Sequence, residues 1–199
     1  MTAEQEKPEI RRETSPALKI GIVATYAAAS VGAGYILIFL PNIEIYDMML
    51  FLGGLLFGKR LGALIAFIAE IIHSMFNIYG ASPIPLLIVQ LIMYTILGFA
   101  GGLMKNSKIR MTMTRRSQVV FGFIGLSFAF IYTIWADIMF PLFVGGTGLT
   151  IVGWIIQGMI LRIVLMACDF ITFSMLLPLI LVAVEKHVAA IFPSQMAFD

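Results

Sequence analysis

The stretch LPNIEIYDMMLFLGGLLFGKR, Leu40 to Arg60, decides how the chain folds. It opens on a polar cluster (Pro41, Asn42, Glu44, Tyr46, Asp47) and closes on a basic pair, Lys59 and Arg60. Only 11 uncharged residues, Met48 to Gly58, separate Asp47 from Lys59. A helix needs about 20 apolar residues to cross ~30 Å of hydrocarbon, and a run of this length rises only ~17 Å. With Lys59 and Arg60 at the cytoplasmic face, the polar cluster cannot reach the outer surface. Irregular backbone and carboxylates persist at that depth only where they line an enclosed or water-filled cavity. The stretch therefore predicts a re-entrant first loop feeding a short second helix, with the loop as floor or wall of a binding site.

Composition sets the surroundings of that loop. Of 199 residues, 60% are hydrophobic and 12% charged, and the mean hydropathy is +1.00. Soluble domains carry about 25% charged residues, so the reading is an integral membrane protein. The apolar runs are long and continuous rather than alternating, which selects helices over a barrel. A single cysteine, Cys168, excludes a disulfide framework and a thiolate metal cluster. No cleavable signal is evident in the polar start of the chain.

Six crossings are predicted, in an all-α membrane domain over 17–187 with cytoplasmic tails at 1–16 and 188–199. Helix 1 runs from about Ala17 to Phe39 behind Ser15-Pro16, a cap followed by a first-turn proline. Ala24, Ala28 and Gly32 recur every four residues on one of its faces. Small residues at that spacing let another helix approach closely in lipid, either within the bundle or from a separate membrane subunit. Helix 2 covers about Met48 to Phe57 and helix 3 about Leu61 to Asn77, the latter placing Glu70, His73 and Asn77 on one face. An ionisable group at the depth of Glu70 must look inward. Alone, His73 reads as a hydrogen-bonded interior histidine and Glu70 as a structural bond. As a stripe rising to Asn77 and Tyr79 they read as a cavity lining.

Helix 4, about Ile84 to Met104, carries Gln90 and Tyr94. Helix 5, about Gln118 to Phe140, carries Trp135 and Asp137. The last element, about Val152 to His187, holds Trp154, Gln157, Arg162 and Asp169, and Pro178 is an expected kink. Its length leaves open one kinked helix or two. Arg162 and Asp169 are too far apart to pair in a straight helix, so each needs a partner elsewhere, with Glu70 a candidate for Arg162.

Charge sorts by side. An inside N-terminus puts Lys7, Arg11, Arg12, Lys19, Lys59, Arg60, the five cations of Lys105–Arg116 and Lys186 on the inner side. The outer side then holds Glu44, Asp47 and Asp137 without Lys or Arg. That asymmetry fits both termini in the cytoplasm of a cell membrane, and it explains the basic loop without nucleic acid. Asn42, Glu44, Asp47, Asn77, Tyr79, Gln90, Trp135, Asp137, Trp154 and Gln157 all fall in the outer half and can converge on one outward-facing pocket.

Catalytic patterns are missing. Gly53 to Arg60 matches a phosphate-binding loop up to its lysine, but Arg60 stands where Ser or Thr must hold Mg²⁺, and the glycines lie inside an apolar helix. There is no His-Glu-x-x-His, Gly-x-Ser-x-Gly or cysteine cluster, and His73 and His187 lie towards opposite faces. The reading is a binder without catalytic residues, metal or cofactor.

Six helices in about 200 residues, the Ala24-x-x-x-Ala28 face, and a polar first loop leading to a short helix closed by Gly58-Lys59-Arg60-Leu61-Gly62 together resemble the substrate-binding S components of energy-coupling factor (ECF) transporters. Pro41 to Gly102, with PNIEIYD, LFGKRLGAL, FNIYGASP and LGFAGGL, carries the resemblance; the rest matches in layout. It implies capture of a vitamin or similar micronutrient outside the cell. It also implies docking through helix 1, by Ala24, Ala28 and Gly32, onto a membrane coupling subunit that works with two cytoplasmic ATPases. The loop around Glu44 would be a lid or wall of the pocket. The substrate does not follow from it. Two other classes stay open: a non-transport scaffold of a cell-shape complex, which would have a filled interior, and a stand-alone secondary transporter, against which the lack of an inverted repeat counts.

Overall fold

In a computed structural model, residues 15–107 and 114–191 are described, the side chains of the last helix as far as Val184. Residues 1–14 and 192–199 of the predicted tails, the centre of the basic loop, and the side chains of Lys186 and His187 lie outside the described residues. All regular structure among the described residues is helical: α1 Pro16–Ile36, α2 Tyr46–Phe57, α3 Lys59–Met75, α4 Ile84–Leu103, α5 Arg115–Phe143, α6 Gly148–Gln157, α7 Met159–Ile171 and α8 Leu177–Ile191, with a π-helical turn Thr172–Leu176 joining the last two. Among the described residues four stretches are long and apolar enough to cross a membrane: α1, α4, α5 and the α7–α8 unit over Met159–Val184.

The short helix is the centre of the bundle. Tyr46, Asp47, Met48, Leu50, Phe51, Leu52 and Leu55 of α2 are buried on all sides, as expected of a helix that is apolar all round. It starts one residue before Asp47, and its 12 residues rise ~18 Å. Gly58, at φ 91°, turns the chain straight into α3; that backbone region penalises any residue with a Cβ. Immediately beyond, α2, α3 and α4 cross backbone to backbone at Gly54, Gly62 and Gly98, where an added Cβ would collide with the neighbouring main chain. Close small-residue crossings of this kind substitute van der Waals contact for the hydrophobic drive that lipid removes.

Helix ends follow local chemistry. Ser15 Oγ accepts the Leu18 amide at 3.3 Å to cap α1. Thr114 and Ser117 form a reciprocal capping box at α5. The helix expected over 152–187 divides into α6 and α7 at Gly158, and α6 begins earlier, at Gly148. Before Pro178 the turn widens to i→i−5 bonding, with the Leu177 amide on the Thr172 carbonyl, and helical structure continues beyond it as α8. Helix α5 runs to Phe143, through Pro141, beyond the predicted end.

Exposed apolar side chains such as Ile84, Ile92, Phe123, Ile131 and Ile163 clothe the outside. On α1 the bundle takes Val23, Ala27, Ser30, Val31 and Gly34. Ala24, Ala28 and Gly32 point away from it, and a Cβ on Gly32 would touch nothing. The small-residue row is therefore not packed within this bundle.

Candidate binding cavity

The C-terminal ends of α1, α3 and α5, the starts of α4 and α7, and the loop over residues 37–45 enclose a cavity of about 680 Å³, within the ~300–1,000 Å³ usual for small-molecule sites. Basic residues gather at the opposite end, where Lys59 lies against Gly102 at the end of α4. Lys19, Lys105, Arg115 and Arg116 flank that end.

The loop is tied down rather than loose. The Asn42 side-chain amide donates to the Leu161 carbonyl at 2.7 Å, and the Tyr79 hydroxyl to the Ile38 carbonyl at 2.9 Å. The Cys168 thiol donates to the Glu44 carbonyl at 3.4 Å. Asn42 adopts φ 60°, a conformation that asparagine tolerates better than most residues. Seven residues of the loop, Leu37, Ile38 and Leu40 to Glu44, line the cavity. Burial, with the carboxyls of Asp47 and Glu70 nearby, pushes the Glu44 carboxyl up to about 8.

Behind the loop lies a polar network in an aromatic frame. Glu70 is fully buried; Tyr46 donates to its Oε2 at 3.0 Å and Ser74 to its Oε1. Ser74 Oγ also lies 3.2 Å from Gln90 Oε1, and Gln90 Nε2 donates to the Tyr132 hydroxyl at 3.5 Å. Tyr46 stacks on His73 with ring centroids 4.3 Å apart, and Tyr35 covers the same imidazole at 5.3 Å. Tyr94 contacts both Tyr46 and Tyr132 edge-on or tilted. Rings held on several sides give a rigid wall.

At the mouth, Arg162 clamps three elements. Its guanidinium lies 2.6 Å from Asp137 Oδ2 and donates to the carbonyls of Ile155 at 2.7 Å and Trp154 at 3.0 Å. Trp154 packs edge-on against Phe140. The break at Gly158 puts Arg162 in the first turn of α7, level with the cavity, so this end does hold one cation. Its partner is Asp137, not Glu70, whose oxygens are already taken deeper in the bundle.

Of the residues predicted to bind, Asn42, Glu44, Glu70, His73, Asn77, Tyr79, Gln90, Tyr94, Asp137, Trp154 and Arg162 line this cavity. Three do not. Asp47 is fully buried but turned away, its carboxyl facing Asp169; its neighbour Tyr46 takes the position towards Glu70, because adjacent helical residues point about 100° apart. Trp135 is 48% exposed, since the inner face of α5 is Tyr132, Thr133, Ala136, Asp137 and Phe140. Gln157 is exposed at the last turn of α6. Sequence reading does not single out Ser74 and Tyr132, and it names Tyr46 and Asp169 but not as binding residues; Tyr132 has a signal, standing five residues before Asp137.

Among the described residues no three His, Cys, Asp or Glu side chains converge to hold a metal ion. No family model, curated protein or solved structure matches the chain.

Proposed function

We propose that the chain is a membrane substrate-binding subunit that captures a vitamin-like small molecule at the outer face and delivers it inwards within an ATP-driven importer of the ECF type. The observation that carries the reading is the tethered acidic loop closing a cavity of ligand size at the end opposite the basic residues. In this reading α1, α2, α3, α4, α5 and the α7–α8 unit make six crossings, with the basic end and both termini in the cytoplasm. The central α2 and the 17-residue α3 are too short to span alone, and the loop and cavity fill the missing depth. Ala24, Ala28 and Gly32 then offer an uncovered small-residue face to a coupling subunit. The polar cavity disfavours a filled scaffold.

Mass spectrometry of small molecules released from the purified chain tests the capture. A stoichiometric water-soluble compound is expected, and a protein that neither carries nor binds one contradicts the reading. Ala24→Leu and Ala28→Leu should abolish uptake in cells while leaving binding intact. Normal uptake in both variants removes the docking face.

A further inference from the structure

Resting on the capture reading, we infer that the cavity takes an organic cation with a flat ring, and that Glu44 is its counter-charge. Charge at this end of the bundle is unbalanced. Among the described residues, Glu44, Asp47, Glu70, Asp137 and Asp169 stand against one guanidinium, Arg162. Four of the five carboxyls are occupied or turned away. Asp137 pairs with Arg162, Glu70 accepts from Tyr46 and Ser74, and Asp47 and Asp169 face each other out of contact with the cavity. Glu44 lines the cavity, and among the described residues its carboxyl group has no hydrogen-bond or ion-pair partner. A desolvated carboxylate without a partner is costly; Glu44 avoids that cost by holding a proton, and a ligand cation can take the proton's place as the partner of the ionised group.

The walls select further. Tyr94, Tyr132, Phe140 and Trp154 line the same space, and aromatic faces attract cations as well as stacking on flat rings. An anion would meet Glu44 with its one candidate partner, Arg162, already committed to Asp137 and two carbonyls.

Proton linkage follows from the same geometry. Groups facing Glu44 are Tyr46 and Asp47 from α2, Glu70 from α3, Tyr94 from α4, Tyr132 from α5, and Cys168 and Asp169 from α7. None brings a positive charge, so without a bound cation Glu44 holds a proton up to about pH 8. A cation displaces that proton, and cation affinity therefore rises with pH until about 8 and then levels.

The test uses the full chain in lipid nanodiscs and two near-isosteric probes, 1-methylquinolinium and neutral 1-methylquinolin-2-one, by equilibrium dialysis. The cation should bind about tenfold more tightly at pH 8, and its affinity should fall by about tenfold per unit as pH drops below that. Glu44→Gln should bring the two probes together and flatten the pH dependence, and Glu44→Asp should keep the preference. Equal affinities in the unmodified chain, or a preference that survives Glu44→Gln, overturn the cation assignment while leaving capture intact. If neither probe binds, the charge of the molecule that co-purifies decides: a cation supports the inference and a neutral or anionic compound overturns it. A chain that binds no probe and carries no compound overturns capture and this inference together.

Discussion

Tyr46→Phe isolates the buried hydrogen bond that holds the cavity floor. The substitution keeps the ring, and with it the 4.3 Å stack on His73 and the contact with Tyr94. It removes one hydroxyl, the donor 3.0 Å from Glu70 Oε2, between two side chains with no exposed surface. Ser74 remains as the other donor to Glu70. Hydrogen bonds to a charged group contribute roughly 1.5–3 kcal/mol, neutral ones about 0.5–1.5 kcal/mol. For a chain of this size each kcal/mol moves Tm by about 2–4 °C, so a fall of roughly 3–12 °C is expected for an ionised Glu70. Thermal unfolding in detergent measures it. A double-mutant cycle with Glu70→Leu, which leaves the Tyr46 hydroxyl no acceptor at that position, then separates the bond from the rest of the perturbation. A Tyr46→Phe effect of the same size with and without Glu70→Leu would refute the reasoning, because it would show no coupling between the two groups.

Other outcomes follow from the packing and the charges. Gly98→Ala places a Cβ against the Gly62 carbonyl and 2.8 Å from Ala66 Cβ, an overpacking that should cost at least the usual ~1–3 kcal/mol; an unchanged Tm in detergent would deny the three-helix crossing. Gly32→Ala, open on all sides within α1, should not lower Tm in the same assay and should raise it by about 2–4 °C, the helix preference of alanine over glycine. Glu44 gives stability a slope with a definite sign. Its carboxyl titrates near 8 in the folded chain against an ordinary 4.5. The folded state therefore holds a proton that the unfolded chain has lost, and stability falls as pH rises from about 4.5 to about 8 and then levels. Glu44→Gln should remove part of that slope in Tm measured against pH, and an identical slope in the variant would place Glu44 in a wetter setting.

Much of this arrangement could be read from the residues. The interval from Asp47 to Lys59 announced the short helix, because charge fixes depth in a bilayer more firmly than apolar residues fix a face. Glu70, His73 and Asn77 announced an inward stripe for the same reason. The misreadings have a shared physical origin. In α5 and α6 nearly every residue is apolar, so no contrast between faces told the outward Trp135 from the inward Tyr132. Gly158 sits in a stretch that is apolar apart from Gln157 and Arg162, where a single glycine costs a helix only about 1 kcal/mol; nothing marked it as the break that brings Arg162 to Asp137. Asp47 is buried in the bundle, but the choice between it and Tyr46 for the cavity depends on which neighbour each meets, which spacing alone does not specify.

Accessibility of position 44 bears most directly on the central claim, that the acidic loop is held below the outer surface as the wall of a cavity. In liposomes, with Cys168→Ser as the background to keep a donor for the Glu44 carbonyl, Glu44→Cys and Ala81→Cys should be compared for their rates of reaction with a membrane-impermeant maleimide; Ala81 is exposed in the turn between α3 and α4 at the same end of the bundle. The account predicts that the cysteine at 44 reacts several-fold more slowly than the one at 81. Equal rates would put the loop in open water and contradict it.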